Sequence, residues 1–206
     1  MGDIKPIETF YNNYRFRSRL EARHALCYDL LGIRYEYEPE GLVLSDGTYY
    51  LPDFYLPDLH CYVEIKRNGL QTTDEGKSAI WKISDGMRTD SWAGLICFGD
   101  PLDDNTTLFC QEYNDSSGGS YTACATIGLR PDDQSPCIFI PCDRRDRAFL
   151  SAFGGEGYRI PAINEGYGCY DDFVTERVLQ ARRAARQARF EHGETPQIKR
   201  PGSSGN

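Results

Sequence analysis

The chemistry-bearing residues of this chain concentrate in Tyr49-Tyr50-Leu51-Pro52-Asp53-Phe54-Tyr55-Leu56 and, after a short break, Cys61-Tyr62-Val63-Glu64-Ile65-Lys66. Both runs are rich in aromatic and β-branched residues, as strands are. The break, Pro57-Asp58-Leu59-His60, has the length and composition of a turn. An antiparallel hairpin is therefore expected. Side chains alternate across a strand, which puts Tyr62, Glu64 and Lys66 on one face and Cys61, Val63 and Ile65 on the other. If the register sets Asp53 opposite the polar face, two carboxylates and an ammonium converge. Desolvating unpaired charge is costly, so such a cluster is not collected for stability. A hard divalent cation such as Mg²⁺ takes carboxylate oxygens and would account for it. The plain alternative is a solvated sheet face carrying a surface ion pair, which contributes little.

The elements around the hairpin supply a third acid. Phe16, Leu20, Cys27 and Leu31 recur at helical spacing from about Arg15 to Leu31, and Gly32 offers a C-terminal stop. Glu21 is one residue, about 100° of turn, from Leu20, so it borders the buried stripe. It can lean from the helix onto the sheet as a third carboxylate, or pair locally with Arg17. Residues up to Tyr14 read as an irregular lead-in. Three strands in a meander follow, over about 33–44, 48–56 and 61–66, with Ser45-Asp46-Gly47 as a hairpin turn. Pro52 cannot donate to a ladder, so its strand is at an edge or bulged there. A bulge re-aims side chains, which suits Asp53.

Beyond Lys66, Thr72 or Thr73 caps a helix from about Asp74 to Met87 that turns Ala79, Ile80 and Ile83 inward and leaves Lys77 and Lys82 outside. Trp92 to Phe98 reads as a buried strand. Farther on the pattern weakens. Thr106–Tyr113 and Cys137–Ile140 suggest short strands, Asn114–Ser120 a flexible loop, Phe173–Phe190 an Ala- and Arg-rich helix, and the stretch from His192 onward a frayed tail. The predicted organisation is a lead-in over 1–14, a core over 15–100, an irregular extension over 101–190 and a tail over 191–206. The fold class is α/β or α+β: a central mixed sheet flanked by helices, ending in an Arg-rich helix.

At 206 residues the chain is long enough for one sizeable core. A net charge of −8 argues against a protein that simply coats nucleic acid. Yet Arg15, Arg17, Arg19 and Arg23 cluster early and Arg177, Arg182, Arg183, Arg186 and Arg189 late, so local phosphate contact is compatible with the acidic total. No apolar run has the length of a membrane span, and the first residues lack the apolar core of a signal peptide; a cytoplasmic protein is expected. Cys27, Cys61 and Cys97 lie in apolar periodic stretches and read as buried thiols. Cys110, Cys124, Cys137 and Cys142 share one loop-rich region and could hold structural zinc, although none forms a close Cys-x-x-Cys pair. His24, His60 and His192 form no triad, and no Walker loop, dinucleotide fingerprint or Gly-x-Ser-x-Gly occurs.

Phe16-Arg17-Ser18-Arg19-Leu20-Glu21-Ala22, then Tyr50-Leu51-Pro52-Asp53-Phe54, then Val63-Glu64-Ile65-Lys66 resembles the PD-(D/E)XK nuclease superfamily, with its restriction-endonuclease-like fold. The pattern is similar to small phage and bacterial members, Holliday-junction-resolvase-like or transposon-end-cleaving nucleases, and covers about residues 15–100. The resemblance implies a Mg²⁺-dependent endodeoxyribonuclease, with Mn²⁺ substituting, that acts on duplex or branched DNA in the cytoplasm of a bacterium or phage-infected cell, as a homodimer or within a larger nucleoprotein complex. Asp53 and Glu64 would be the principal metal ligands, Glu21 and the Ile65 carbonyl would complete the shell, and Lys66 would be catalytic. Arg17, Arg19, Lys77 and Lys82 are the candidate phosphate contacts. The alternative is a nuclease-fold protein that works as a binding or assembly module without cleavage.

Overall fold

A computed structural model describes residues 6–86, 93–111, 120–139, 163–164 and 170–192. The architecture is mixed α/β. The elements run β1 (Thr9–Tyr11), β2 (Tyr14–Phe16), α1 (Arg19–Leu31), β3 (Glu36–Tyr37), β4 (Leu42–Val43), β5 (Tyr49–Tyr50), β6 (Phe54–Leu56), β7 (Cys61–Lys66), α2 (Asp74–Gly86), β8 (Ala93–Phe98), β9 (Thr106–Gln111), β10 (Ser120–Leu129), β11 (Pro136–Phe139), β12 (Ile163–Asn164), α3 (Tyr170–Phe173) and α4 (Glu176–Gln187). One eight-stranded sheet has the order β12-β11-β10-β9-β8-β7-β6-β3. The pairs β7–β8 and β11–β12 are parallel and the rest antiparallel.

Several expectations change. Residues 9–16, which span the end of the expected lead-in and the first residues of the expected helix, instead form the β1–β2 hairpin, turned by Asn12 and Asn13 at φ 47° and 65°. Asn tolerates this left-handed region better than most residues, and the flanking strands are too short to show alternation. Helix α1 therefore begins at Arg19, capped by the Ser18 side chain, which accepts from the Glu21 N–H at 3.2 Å.

The three-strand meander is also broken. The second strand, expected over 48–56, splits around Pro52: β5 pairs with β4 in a small separate sheet, while β6 pairs with β3 and β7 in the main one. The Ser45-Asp46-Gly47 turn does close the β4–β5 hairpin, with Gly47 at φ 80°. Residues 106–111, 120–129 and 136–139, in a stretch expected as irregular with short strands, extend the main sheet as β9, β10 and β11, and β10 is a ten-residue strand that takes in Ser120. The late helix divides into α3 and α4, and His192 ends a 3₁₀ turn over Phe190–His192. Residues 112–119, Met87, Ile140 and 193–206, to which loop, helix, strand and tail expectations attach, lie outside the described residues.

Two cores clamp the sheet. On one face α1 and α4 bury Ala22, Leu26, Val178 and Ala181 against Phe54, Val63, Ile65 and Leu95. An aromatic group of Phe16, Tyr28, Tyr37 and Phe54 closes this core toward β3, with Phe16 edge-on to Tyr37 at 4.5 Å. On the other face α2 and the β4–β5 hairpin bury Ala79, Ile83, Leu42, Leu44 and Tyr50 against Ile96 and Phe98. Burial of such side chains, worth about 1.5–3 kcal/mol each, is the main favourable term.

The start of α2 depends on close backbone approach. Thr73 caps it, its hydroxyl accepting from the Gly76 N–H at 3.2 Å. A Cβ at Gly76 would stand 1.9 Å from the Leu70 carbonyl oxygen. Neither backbone can yield easily, so Gly76→Ala is expected to lower stability by about 1–3 kcal/mol despite alanine's better helix propensity. Urea unfolding checks this; an unchanged midpoint would contradict the packing described.

Among the described residues, no helix is long and apolar enough to cross a membrane.

Candidate metal and phosphodiester site

The alternation of β7 is as expected. Cys61, Val63 and Ile65 enter the α1–α4 core, whereas Tyr62 and the two charged residues face the α2 side. Phe54 pairs with Val63, so continuing the antiparallel register sets Asp53 opposite Glu64. Both acids are buried, at 4% and 6% exposure.

Asp53 sits where the chain leaves Pro52 and enters the sheet. Its carbonyl accepts from the Glu38 N–H at 2.9 Å. Its Oδ2 accepts from the Ile65 N–H at 2.7 Å, and Oδ1 meets Arg17 Nη2 at 3.0 Å. Burial, then the neighbouring carboxylates of Glu64 and Glu21, push the Asp53 carboxyl up to about 8, although the Ile65 N–H and Lys66 pull it back. Glu64 receives the Tyr50 hydroxyl on Oε2 at 2.6 Å and Lys66 Nζ on Oε1 at 2.5 Å. Burial works against the Lys66 ammonium, but Glu64 and Asp53 outweigh it and raise its pKa. The Lys66 carbonyl is fixed by the Gly99 N–H at 2.8 Å, where β7 and β8 end together.

Glu21 is buried at the start of α1 and adds to the field at Asp53. Its oxygens are occupied locally: Oε1 accepts from the Ser18 hydroxyl at 2.6 Å, and Oε2 from the Tyr37 hydroxyl at 2.6 Å and the Arg17 N–H at 3.1 Å. Ser18 thus caps the helix through the Glu21 N–H, and the Glu21 carboxylate reaches back to the Ser18 hydroxyl and the Arg17 N–H. Among the described residues, no three His, Cys, Asp or Glu side chains are grouped closely enough to hold a metal ion. The structure thus brings Asp53, Glu64 and Lys66 together, and sets Glu21 at their edge with its carboxylate turned to the helix cap.

The remaining predicted residues separate. Ile65 contributes its amide N–H to Asp53. The Arg17 guanidinium reaches the site, bridging Asp53 and Glu38, with Nε 2.6 Å from Glu38 Oε1. Arg19 opens α1 and is half-buried. Lys77 and Lys82 are exposed on α2, with Lys82 close enough to act on Asp46 at the hairpin turn. Of the four cysteines considered for zinc, Cys137 is buried with Phe139 and Phe173, Cys124 is exposed, and Cys142 lies outside the described residues. His24 is buried on α1 with Nε2 3.0 Å from the Gly99 carbonyl. Burial pushes its pKa down to about 4, so the imidazole is neutral and Nε2 carries the donated proton.

Four contributors escaped sequence reasoning: Tyr50, Tyr37, Ser18 and Glu38. Ser18-Arg19-Leu20-Glu21 carries a readable capping signal. The tyrosines and Glu38 meet their partners through strand pairings that local sequence does not encode.

The donors fit a hard divalent cation in kind. Asp53 and Glu64 offer oxygen only, and among the described residues their hydrogen-bond and ion-pair partners are Arg17, the Ile65 N–H, Tyr50 and Lys66. In the structure, however, Arg17, Tyr50 and Lys66 occupy these carboxylates, so an incoming ion must exchange with them.

No family model matches this chain, and no curated protein matches its sequence.

Proposed function

We propose that this protein is a divalent-metal-dependent nuclease of the PD-(D/E)XK type, built on a restriction-endonuclease-like core, with DNA as substrate. The observation that carries the reading is the buried pair Asp53 and Glu64 across the β6–β7 ladder, with Lys66 beside Glu64. Two adjacent buried carboxylates disfavour one another unless positive charge is supplied. Asp53 and Glu64 would hold Mg²⁺ or Mn²⁺, with Glu21 available from the edge once its cap contacts loosen. Such an ion supplies an acidified water and shields a scissile phosphate. The residues do the positioning. The Ile65 N–H fixes the plane of the Asp53 carboxylate, and the Tyr50 hydroxyl does the same for Glu64. Lys66, fixed at its own carbonyl by Gly99, presents an ammonium where negative charge grows during phosphodiester cleavage.

A second reading is favoured by one observation: every carboxylate of the cluster already has protein partners. A self-satisfied cluster can serve as a rigid polar joint in a binding or assembly module.

The two readings separate in a cleavage panel of supercoiled, branched and single-stranded DNA with Mg²⁺ or Mn²⁺, run on wild type beside Glu64→Gln. Metal-dependent cleavage is expected for wild type, with at least about a hundredfold loss in the variant, the scale of removing one preorganised charged group. Failure of every substrate, or full activity in Glu64→Gln, would defeat the nuclease assignment.

A further inference from the structure

Resting on that function, the geometry points to a further role for Arg17. We propose that its guanidinium is a built-in stand-in for the metal, holding Asp53 until a divalent cation displaces it and leaves the fork free for a DNA phosphate. The side chain joins an exposed cation to a buried acid: Arg17 is 58% exposed, whereas the Asp53 side chain is 5% exposed. Asp53 Oδ2 is committed to the Ile65 N–H, so Oδ1, the oxygen Arg17 touches, is the one left for an outside ligand. A divalent ion and a guanidinium repel one another at such separation, so the two compete for this oxygen.

The tether is suited to release. Arg17 follows β2 directly, and its backbone is pinned by its N–H, which reaches both Glu21 Oε2 and the Tyr37 hydroxyl. Only the side chain has to move. Its second contact is Glu38, a partly exposed carboxylate, and such pairs hold weakly. Glu38 itself has φ 47°, a left-handed conformation unusual for glutamate, while its N–H donates to the Asp53 carbonyl. Strain of this kind persists where surrounding structure imposes it and clusters at functional sites. Here it keeps an anchor for Arg17 directly across from the acid that Arg17 covers. Once displaced, the planar fork is matched to a phosphate and stays at the mouth of the site.

The test is calorimetric titration of Mg²⁺, without DNA, into wild type, Arg17→Ala, Arg17→Lys and Asp53→Asn. A pH of about 8.5 limits proton competition at Asp53. Arg17→Ala is expected to bind Mg²⁺ about tenfold more tightly than wild type, with Arg17→Lys between them because a lysine keeps the charge without the fork. Asp53→Asn is expected to lose the site. With uncleaved DNA in Ca²⁺, Arg17→Ala should bind more weakly and with a salt slope shallower by about one charge. Equal or weaker Mg²⁺ binding in Arg17→Ala, with Asp53-dependent binding intact in wild type, would overturn the stand-in role and leave the nuclease reading standing. No Asp53-dependent Mg²⁺ binding in any variant would overturn both.

Discussion

Asp53→Asn is expected, on the proposed reading of Asp53 as a metal ligand, to abolish metal-dependent cleavage and, in the same protein, to raise stability at neutral and alkaline pH. The first effect follows from losing an anionic ligand, with an expected cost of at least about a thousandfold in rate, at the upper end for a single electrostatic group. The second follows from burial. The Asp53 carboxyl titrates near 8 in the folded chain, first because it is buried and then because Glu64 and Glu21 face it. In the unfolded chain it titrates near the ordinary carboxylate value of about 3.9. The folded state therefore holds its proton through a range where the unfolded state has released it. Stability from the neutral group is complete below about pH 4, drains away as pH rises, and levels off above about pH 8. Asparagine, uncharged throughout, has no such loss. Urea unfolding at about pH 3.5, 6 and 9 should give a difference between variant and wild type that widens across the series to a few kcal/mol. Added Mg²⁺ should stabilise wild type, by about 2.7 kcal/mol at a hundred times its dissociation constant, and leave Asp53→Asn unmoved. A pH-independent difference would mean that Asp53 is ionised at low pH in the folded chain, contrary to the burial described.

Arg182→Met should be among the most destabilising single changes away from the site. Arg182 on α4 is 4% exposed. Its Nη1 lies 3.0 Å from Asp104 Oδ2, and its Nη2 donates to the Ile127 carbonyl at 3.0 Å and to the Thr126 hydroxyl at 2.5 Å. That hydroxyl in turn donates to Asp104 Oδ1 at 2.5 Å. Methionine fills much of the volume but removes the Arg182 charge facing Asp104 and the Arg182 donor to the Ile127 carbonyl. Breaking a buried pair from one side costs about 3–5 kcal/mol, and the partial exposure of Asp104 sets the lower figure here. Adding Asp104→Asn should recover a measurable part, because it removes the charge that Arg182 faced. If Arg182→Met unfolds at the wild-type urea concentration, α4 is not fastened as described.

These two residues also mark what local sequence can convey. The alternation of β7 and the helical offset of Glu21 are periodic facts, whereas Asp53 opposite Glu64 depended on the β6–β7 register, which periodicity left open. Pro52 announced an interruption, but whether it bulged one strand or divided two depended on where β5 found a partner. The Arg182 network joins positions 56 residues apart, and no window along the chain contains it. Strand β10 went unread for a composition reason: Ser120–Leu129 mixes Ala, Thr, Ser and Gly with few large apolar residues, and its pairing with β9 and β11 makes it a strand. Glu21 was placed correctly on the edge of the buried stripe. Its occupation by Ser18 and Tyr37 was hidden because one partner is a cap and the other comes from β3.

The packing of α4 against α1 has a consequence in time. Helix α1 carries Glu21, follows Arg17 and Ser18, and rests on Val178, Ala181 and Ala185 of a helix translated some 150 residues later. Tyr11 of the first hairpin likewise meets Phe190 edge-on at 5.5 Å. An early and a late segment of the described residues thus cover one another. A nascent chain stalled before α4 has the acids of β6 and β7 but lacks the surface that seats α1 over them. On the proposed nuclease reading, cleavage would then be withheld until α4 has been made and has seated α1.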